Sequence, residues 1–128
     1  MTKLSSVLVT ASPETRRWLE IIKSKVKLEL PTVKYYEKMH WASFKNTSTN
    51  RRFAYLNPTT RQIRLFTKLS ASSDSRLKST PSTGEWAETY PSIFNIRSER
   101  DTEKAIHLII KSHNIDSWKK VTCDRETL

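Results

Sequence analysis

Between Lys38 and Ser73 the chain carries seven cations, Lys38, Lys45, Arg51, Arg52, Arg61, Arg64 and Lys68, and not one carboxylate. Aromatic residues are interleaved with them, notably Phe53, Tyr55 and Phe66. Guanidinium and ammonium groups neutralise phosphates, and aromatic faces stack on bases, so this combination has the chemistry of a nucleic-acid surface. A one-signed field of this kind also attracts an acidic protein partner or an anionic membrane. The alternative is a solvated basic face with no partner. Overall, 23 Lys and Arg stand against 13 Asp and Glu, a formal charge of +10. Met1–Ser70 hold 14 bases and 4 acids, whereas Ala71–Leu128 hold 9 of each, so the excess lies wholly in the first part. The candidate phosphate contacts are Arg51, Arg52, Arg61, Arg64, Lys68 and Lys45; the candidate base-stacking rings are Phe53, Tyr55, Phe66 and Trp86.

Catalytic and cofactor chemistry has little to work with. Gly84 is the only glycine, which excludes the glycine-rich phosphate loop, the dinucleotide fingerprint and the EF-hand. Cys123 is the only cysteine, so there is neither an internal disulfide nor a multi-cysteine zinc site. Its sole activating neighbours in sequence are Lys119 and Lys120. His40, His107 and His113 lack metal-ligand spacing. A nuclease needs clustered carboxylates to hold a metal ion, and the acid-free stretch removes them; Asp74, Glu85 and Glu88 remain as loop carboxylates near Trp86. The expectation is a non-enzymatic module with no cofactor and no metal.

With 128 residues the chain suits one domain, able to bury roughly two thirds of its unfolded surface. No run approaches the roughly 18 apolar residues of a membrane span, and Val7-Leu8-Val9 after Lys3 is too brief for a signal-peptide core. A cytoplasmic location is expected, or a nuclear one in a eukaryote. Ser12-Pro13-Glu14 combines a side-chain cap, a first-turn proline and an acid at the positive dipole end. Trp18, Ile21, Ile22 and Val26 follow at helical spacing, predicting a helix to about Lys27. Strands are expected at His40–Lys45, Arg52–Leu56 and Ile63–Leu69, separated by the turn sequences Asn46–Asn50 and Asn57–Thr60. Ser70–Trp86 reads as a long loop, Ser92–Arg97 as a last strand, and Ser98 with Asp101 as a capping box opening a helix that Asn114 ends. The fold class is therefore α+β: a three-stranded antiparallel meander plus a later strand, with an N-terminal and a C-terminal helix packed on one face. Residues 12–114 form the domain, flanked by an N-terminal segment, 1–11, and a tail, 115–128.

Successive side chains of a strand alternate faces. Ile63, Leu65 and Leu69 pointing inward send Arg64, Phe66 and Lys68 outward. For the preceding strand two registers are open. With Ala54 and Leu56 inward, Phe53 and Tyr55 join the outer cations; the reverse buries both rings and leaves a basic rim. Trp86, close to Gly84 in the long loop, is either a contact residue or a pin holding the loop to the body.

Four features in order carry a family resemblance: His40-Trp41-Ala42-Ser43-Phe44-Lys45, then Arg52-Phe53-Ala54-Tyr55, then Arg61-Gln62-Ile63-Arg64-Leu65, and finally Gly84-Glu85-Trp86 before the strand and the capped helix ending at Leu108-Ile109-Ile110. From roughly Val33 to His113 the chain resembles a family of small uncharacterised α+β domains labelled predicted transport proteins, found alone or with endonuclease-like modules. The resemblance implies the fold and an accessory role beside a nuclease or another complex, which makes a protein-interaction module the competing function. Arg51, Phe53, Ala54 and Tyr55 also resemble the central motif of the RNA-recognition fold. Arg52 stands where that motif has glycine, Pro58 where it has an aromatic, and a third strand follows where that fold has a helix.

Overall fold

The structure, a computed structural model, describes residues 12–38, 41–80 and 89–127, with 73 and 118–127 described by backbone alone. Helix α1 (Pro13–Glu29) opens on a reciprocal cap. The Ser12 amide donates to Thr15 Oγ1 at 3.0 Å, and the Thr15 amide donates to Ser12 Oγ at 3.2 Å, so two otherwise orphaned donors are satisfied. The helix buries Trp18, Leu19, Ile22 and Val26. Strands β1 (Lys34–Glu37), β2 (Ala42–Asn46), β3 (Arg51–Pro58), β4 (Ile63–Thr67), β5 (Lys78–Ser79) and β6 (Ser92–Ile96) form one antiparallel sheet in the order β1-β2-β3-β4-β6-β5. The expected meander and later strand are β2, β3, β4 and β6, neighbours in that order. Four-residue β1 and two-residue β5 add the edges; both are too short to establish an alternation in sequence. His40, expected to begin the first strand of the meander, lies outside the described residues.

The turn between β2 and β3 uses its asparagines for distinct purposes. Asn46 Oδ1 accepts the Ser48 amide at 3.0 Å, and Asn50 takes the left-handed conformation with φ 59°, which asparagine tolerates better than most side chains. Helix α2 (Glu99–Thr127) follows β6. Its capping pair is divided: Ser98 Oγ accepts the Asp101 amide at 3.4 Å, while Asp101 Oδ2 accepts from the Arg97 amide at 3.0 Å. Asn114, read as the stop, lies inside this helix. An asparagine ends a helix by turning left-handed, and among the described non-glycine residues only Asn50 has a positive φ.

Both helices pack on the same face. Trp18, Leu19, Ile22 and Val26 of α1 and Ala105, Leu108 and Ile109 of α2 share one buried cluster with Ala42, Phe44, Ala54, Leu56, Ile63, Leu65, Phe94 and Ile96 of the sheet. A second, smaller cluster on the opposite face consists of Phe66, Tyr90 and Ile93 with Trp41 and Tyr55 against them.

Strand β3 follows neither of the two registers its sequence allows. Phe44 pairs with Ala54, but the next residue, Lys45, pairs with Arg52, so the ladder skips Phe53. Such a bulge places two successive residues on one side of the sheet. Phe53 joins Ala54 in the helix-side core, fully buried, with its ring 6.3 Å from Phe44 and 5.0 Å from His113 between centroids. Tyr55 stays on the opposite face. The two rings were expected to share a face because they are two residues apart; the skipped residue separates them. Phe53→Ala is expected to cost about 3–5 kcal/mol in urea unfolding, and Tyr55→Ala about 1–2 kcal/mol. Equal costs would contradict the assignment of Phe53 to the core.

Candidate functional site

The helix-free face can be read across the sheet from the pairing register. Lys34 and Tyr36 of β1 lie opposite Lys45 and Ser43 of β2. These in turn oppose Arg52 and Tyr55 of β3. Tyr55 and Asn57 oppose Phe66 and Arg64 of β4, which oppose Ile93 and Asn95 of β6. Aromatic residues occupy the middle of this face. Trp41 stands edge-on to Tyr55 at 6.0 Å and tilted over Phe66 at 5.7 Å, and Tyr90 stands edge-on to Tyr55 at 5.2 Å. Edge and tilted contacts suit the ring quadrupole. Phe66 is buried beneath its neighbours, while Tyr36, Trp41 and Tyr55 are half-buried and keep part of their surface accessible.

Cations flank the rings, and two of them, Arg52 and Arg64, are held in place by neutral groups. The Arg52 guanidinium lies 5.1 Å from the Tyr36 ring centroid, and its Nε donates to Ser43 Oγ at 3.1 Å. The Arg52 carbonyl accepts from the Tyr90 hydroxyl at 2.7 Å. Burial, reinforced by Tyr55, pushes the Tyr90 hydroxyl well above its ordinary pKa and keeps it a donor. Arg64 donates from Nε and Nη2 to Asn57 Oδ1 at 3.3 and 3.0 Å. Among the described residues the ion pairs are Arg17–Glu99, Arg51–Asp116, Lys68–Asp116, Arg76–Asp101 and Lys104–Asp74. Lys45, Arg52 and Arg64 belong to none of them. Neutral groups orient the charges of Arg52 and Arg64, and no carboxylate among the described residues pairs with any of the three.

Arg51 and Lys68 have a different fate. Both are drawn to Asp116 of α2, whose side chain is 1% exposed. Asp116 Oδ1 accepts from Arg51 Nε at 2.9 Å and Lys68 Nζ at 2.7 Å; Oδ2 accepts from Asn46 Nδ2 at 3.0 Å and from the Thr49 hydroxyl. Arg51 Nη2 also donates to the Asp116 carbonyl at 3.2 Å. The outward direction expected for Lys68 is therefore corrected. Strand β4 ends at Thr67, and the following amide donates to Ser112 Oγ at 2.9 Å, which turns Lys68 toward α2. The partner was invisible to a local reading because Asp116 lies 65 residues from Arg51 and 48 from Lys68.

Arg61 is exposed in the turn between β3 and β4. The candidate ring Trp86 lies outside the described residues. Of the ten candidate residues, the structure thus brings Lys45, Arg52, Tyr55, Arg64 and Phe66 to one face. It puts Phe53 in the core, Arg51 and Lys68 on the helix side, and Arg61 at a strand end. Lys34, Tyr36 and Trp41 join the face without having been named as site residues. Their signal was faint: Tyr36 and Lys34 alternate with Tyr35, but over only four strand residues. Among the described residues, no group of three or more His, Cys, Asp or Glu is arranged to hold a metal ion.

No protein-family model, curated protein or solved structure matches the chain.

Asp116 supplies a stability test. Burial raises its pKa, but the hydrogen bonds of Lys68, Thr49 and Arg51 and the Lys68 charge outweigh this and hold it below the ordinary carboxylate value. A carboxylate lowered on folding stabilises the protein above its unfolded pKa of about 3.9, and loses that contribution as pH falls through the folded value. Asp116→Ala is expected to cost about 3 kcal/mol near pH 7, because two cations lose their shared partner. The deficit relative to the parent should shrink on acidification below about pH 4, as read from denaturant midpoints across a pH series. A deficit independent of pH would show that the carboxylate charge is not the source.

Proposed function

We propose that the helix-free face binds single-stranded nucleic acid, with Lys45, Arg52 and Arg64 on phosphates and Tyr36, Trp41 and Tyr55 against bases. One observation carries this reading. The skipped residue at Phe53 brings Arg52 and Tyr55 to the same face, beside cations that have no carboxylate partner among the described residues. Rings recessed among cations suit a strand whose bases are splayed out, because a duplex keeps its base faces stacked inside. The contacts are to charge and to π-faces, so the binding tolerates many sequences. DNA and RNA strands both satisfy it, since no group of the face is assigned to a ribose 2′-hydroxyl. No catalytic step is part of this proposal. Within the described residues no helix is long and apolar enough to cross a membrane, and a role on nucleic acid would place the protein in the cytoplasm or nucleus.

Fluorescence anisotropy with labelled single-stranded and double-stranded oligonucleotides across a salt series tests the reading. Single strands should bind more tightly than duplexes, and three phosphate contacts should give a slope of log affinity against log salt near about −2. Arg52→Glu with Arg64→Glu should weaken binding by more than about tenfold while leaving the circular dichroism spectrum unchanged. Undiminished binding by that variant would overturn the residue assignment. No binding even at low salt would overturn the function and redirect the face to an acidic protein partner.

A further inference from the structure

The row of side chains on the helix-free face continues beyond Arg64 and Asn95. Ile63 pairs with Ile96, so Gln62 and Arg97 lie one step further along, on the side of Arg64. Their side chains meet there: Arg97 Nε donates to Gln62 Oε1 at 2.9 Å. With Thr59, Thr60 and Arg61 they line a cleft of about 450 Å³ at the end of the sheet. Among the described residues its lining is two arginines, two threonines and a glutamine, with no carboxylate. The carboxylate bonded to the Arg97 amide, Asp101, is itself engaged by Arg76 at 2.7 Å.

The cleft is built on a rigid turn. The Thr59 amide and hydroxyl both donate to the Gln62 carbonyl, at 2.8 and 2.9 Å, and the Gln62 amide donates to Thr59 Oγ1 at 3.3 Å. Thr15 Oγ1 of α1 donates to the Thr59 carbonyl at 2.8 Å, fastening the turn to the helix. The turn fixes the backbone that carries Arg61, and Gln62 orients Arg97, so the two arginines offer a compact, multiply charged anion a pair of forks on a rigid base.

We infer that this cleft receives the terminal phosphate monoester of a bound nucleic-acid strand, an inference that rests on the single-strand reading above. Two residues along a strand span about 7 Å, so the cleft and Arg64 are close enough to take consecutive phosphates. The sheet ends at this turn, which makes the cleft the terminus of the binding row. A phosphate monoester carries about −1.5 to −2 charges near neutral pH, and Arg61 and Arg97 together match it better than they match the single charge of a diester. Arginine forks also engage the several free oxygens of a terminal phosphate in pairs.

The experiment uses the full chain and three internally labelled single strands of one sequence, about ten nucleotides long: one with a 5′-phosphate, one with a 3′-phosphate and one with hydroxyls at both ends. One of the phosphorylated strands should bind roughly fivefold more tightly than the hydroxyl-ended strand. Arg61→Ala with Arg97→Ala should abolish that preference while changing the affinity for the hydroxyl-ended strand by less than about twofold; a thermal melt establishes that the variant is folded. Equal affinity for all three strands overturns the cleft assignment and leaves the sheet-face reading intact. So does a preference that survives in the double variant. Absence of binding to every strand overturns both.

Discussion

A strand that alternates its side chains cannot present residues three apart on the same face, yet Arg52 and Tyr55 do share one. The arrangement depends on the single unpaired position at Phe53. With that residue pushed into the core, the first part of β3 is offset from the second, and the Arg52–Lys45 pair aligns with the Ser43–Tyr55 pair. Without the offset, Arg52 would point toward the helices, where the apolar core around Phe44 and Leu108 offers no partner for a charge, and Phe53 would leave that core. Phe53 thus serves the core and the opposite surface at once. Its bulk anchors the bulge, and the bulge aims a cation.

Asp116 imposes the complementary order on the other side. It gathers two cations and two neutral donors, Asn46 and Thr49, at the corner where the β2–β3 turn meets α2, and Asn46 Nδ2 donates as well to the Ser117 hydroxyl beside it. The carboxylate is buried, so its bonds are made at the cost of desolvation, and they tie the helix to the sheet through geometry more than through net energy. Two charges of the basic stretch are used for this structural purpose. The remaining cations of β2, β3 and β4 supply the surface field.

Much of the architecture was legible because its signals are local. Ser12 and Pro13 mark a helix start, and the alternation from Ile63 to Thr67 marks a strand whose inward and outward residues are assigned correctly as far as Phe66. The errors come from constraints that are not local. Nothing in Arg52-Phe53-Ala54-Tyr55 announces a skipped residue, since a bulge is chosen by the fit of Phe53 between Phe44 and His113. An acid-free stretch of sequence is likewise not an acid-free surface: Asp116 comes from the far end of the chain to neutralise Arg51 and Lys68. Asn114 has the right residue type to stop a helix, but Asp116 beyond it has bonds to make, and the helix runs on to make them.

The cap of α1 has a consequence for how the molecule opens. Thr15 accepts the Ser12 amide and also donates to the carbonyl of Thr59, so the first turn of the helix and the β3–β4 turn share one hydroxyl. Fraying of the helix start releases the turn, and loosening of the turn exposes the cap. These two segments, 44 residues apart in sequence, form one cooperative unit, and their amide protons should exchange with solvent through the same opening event.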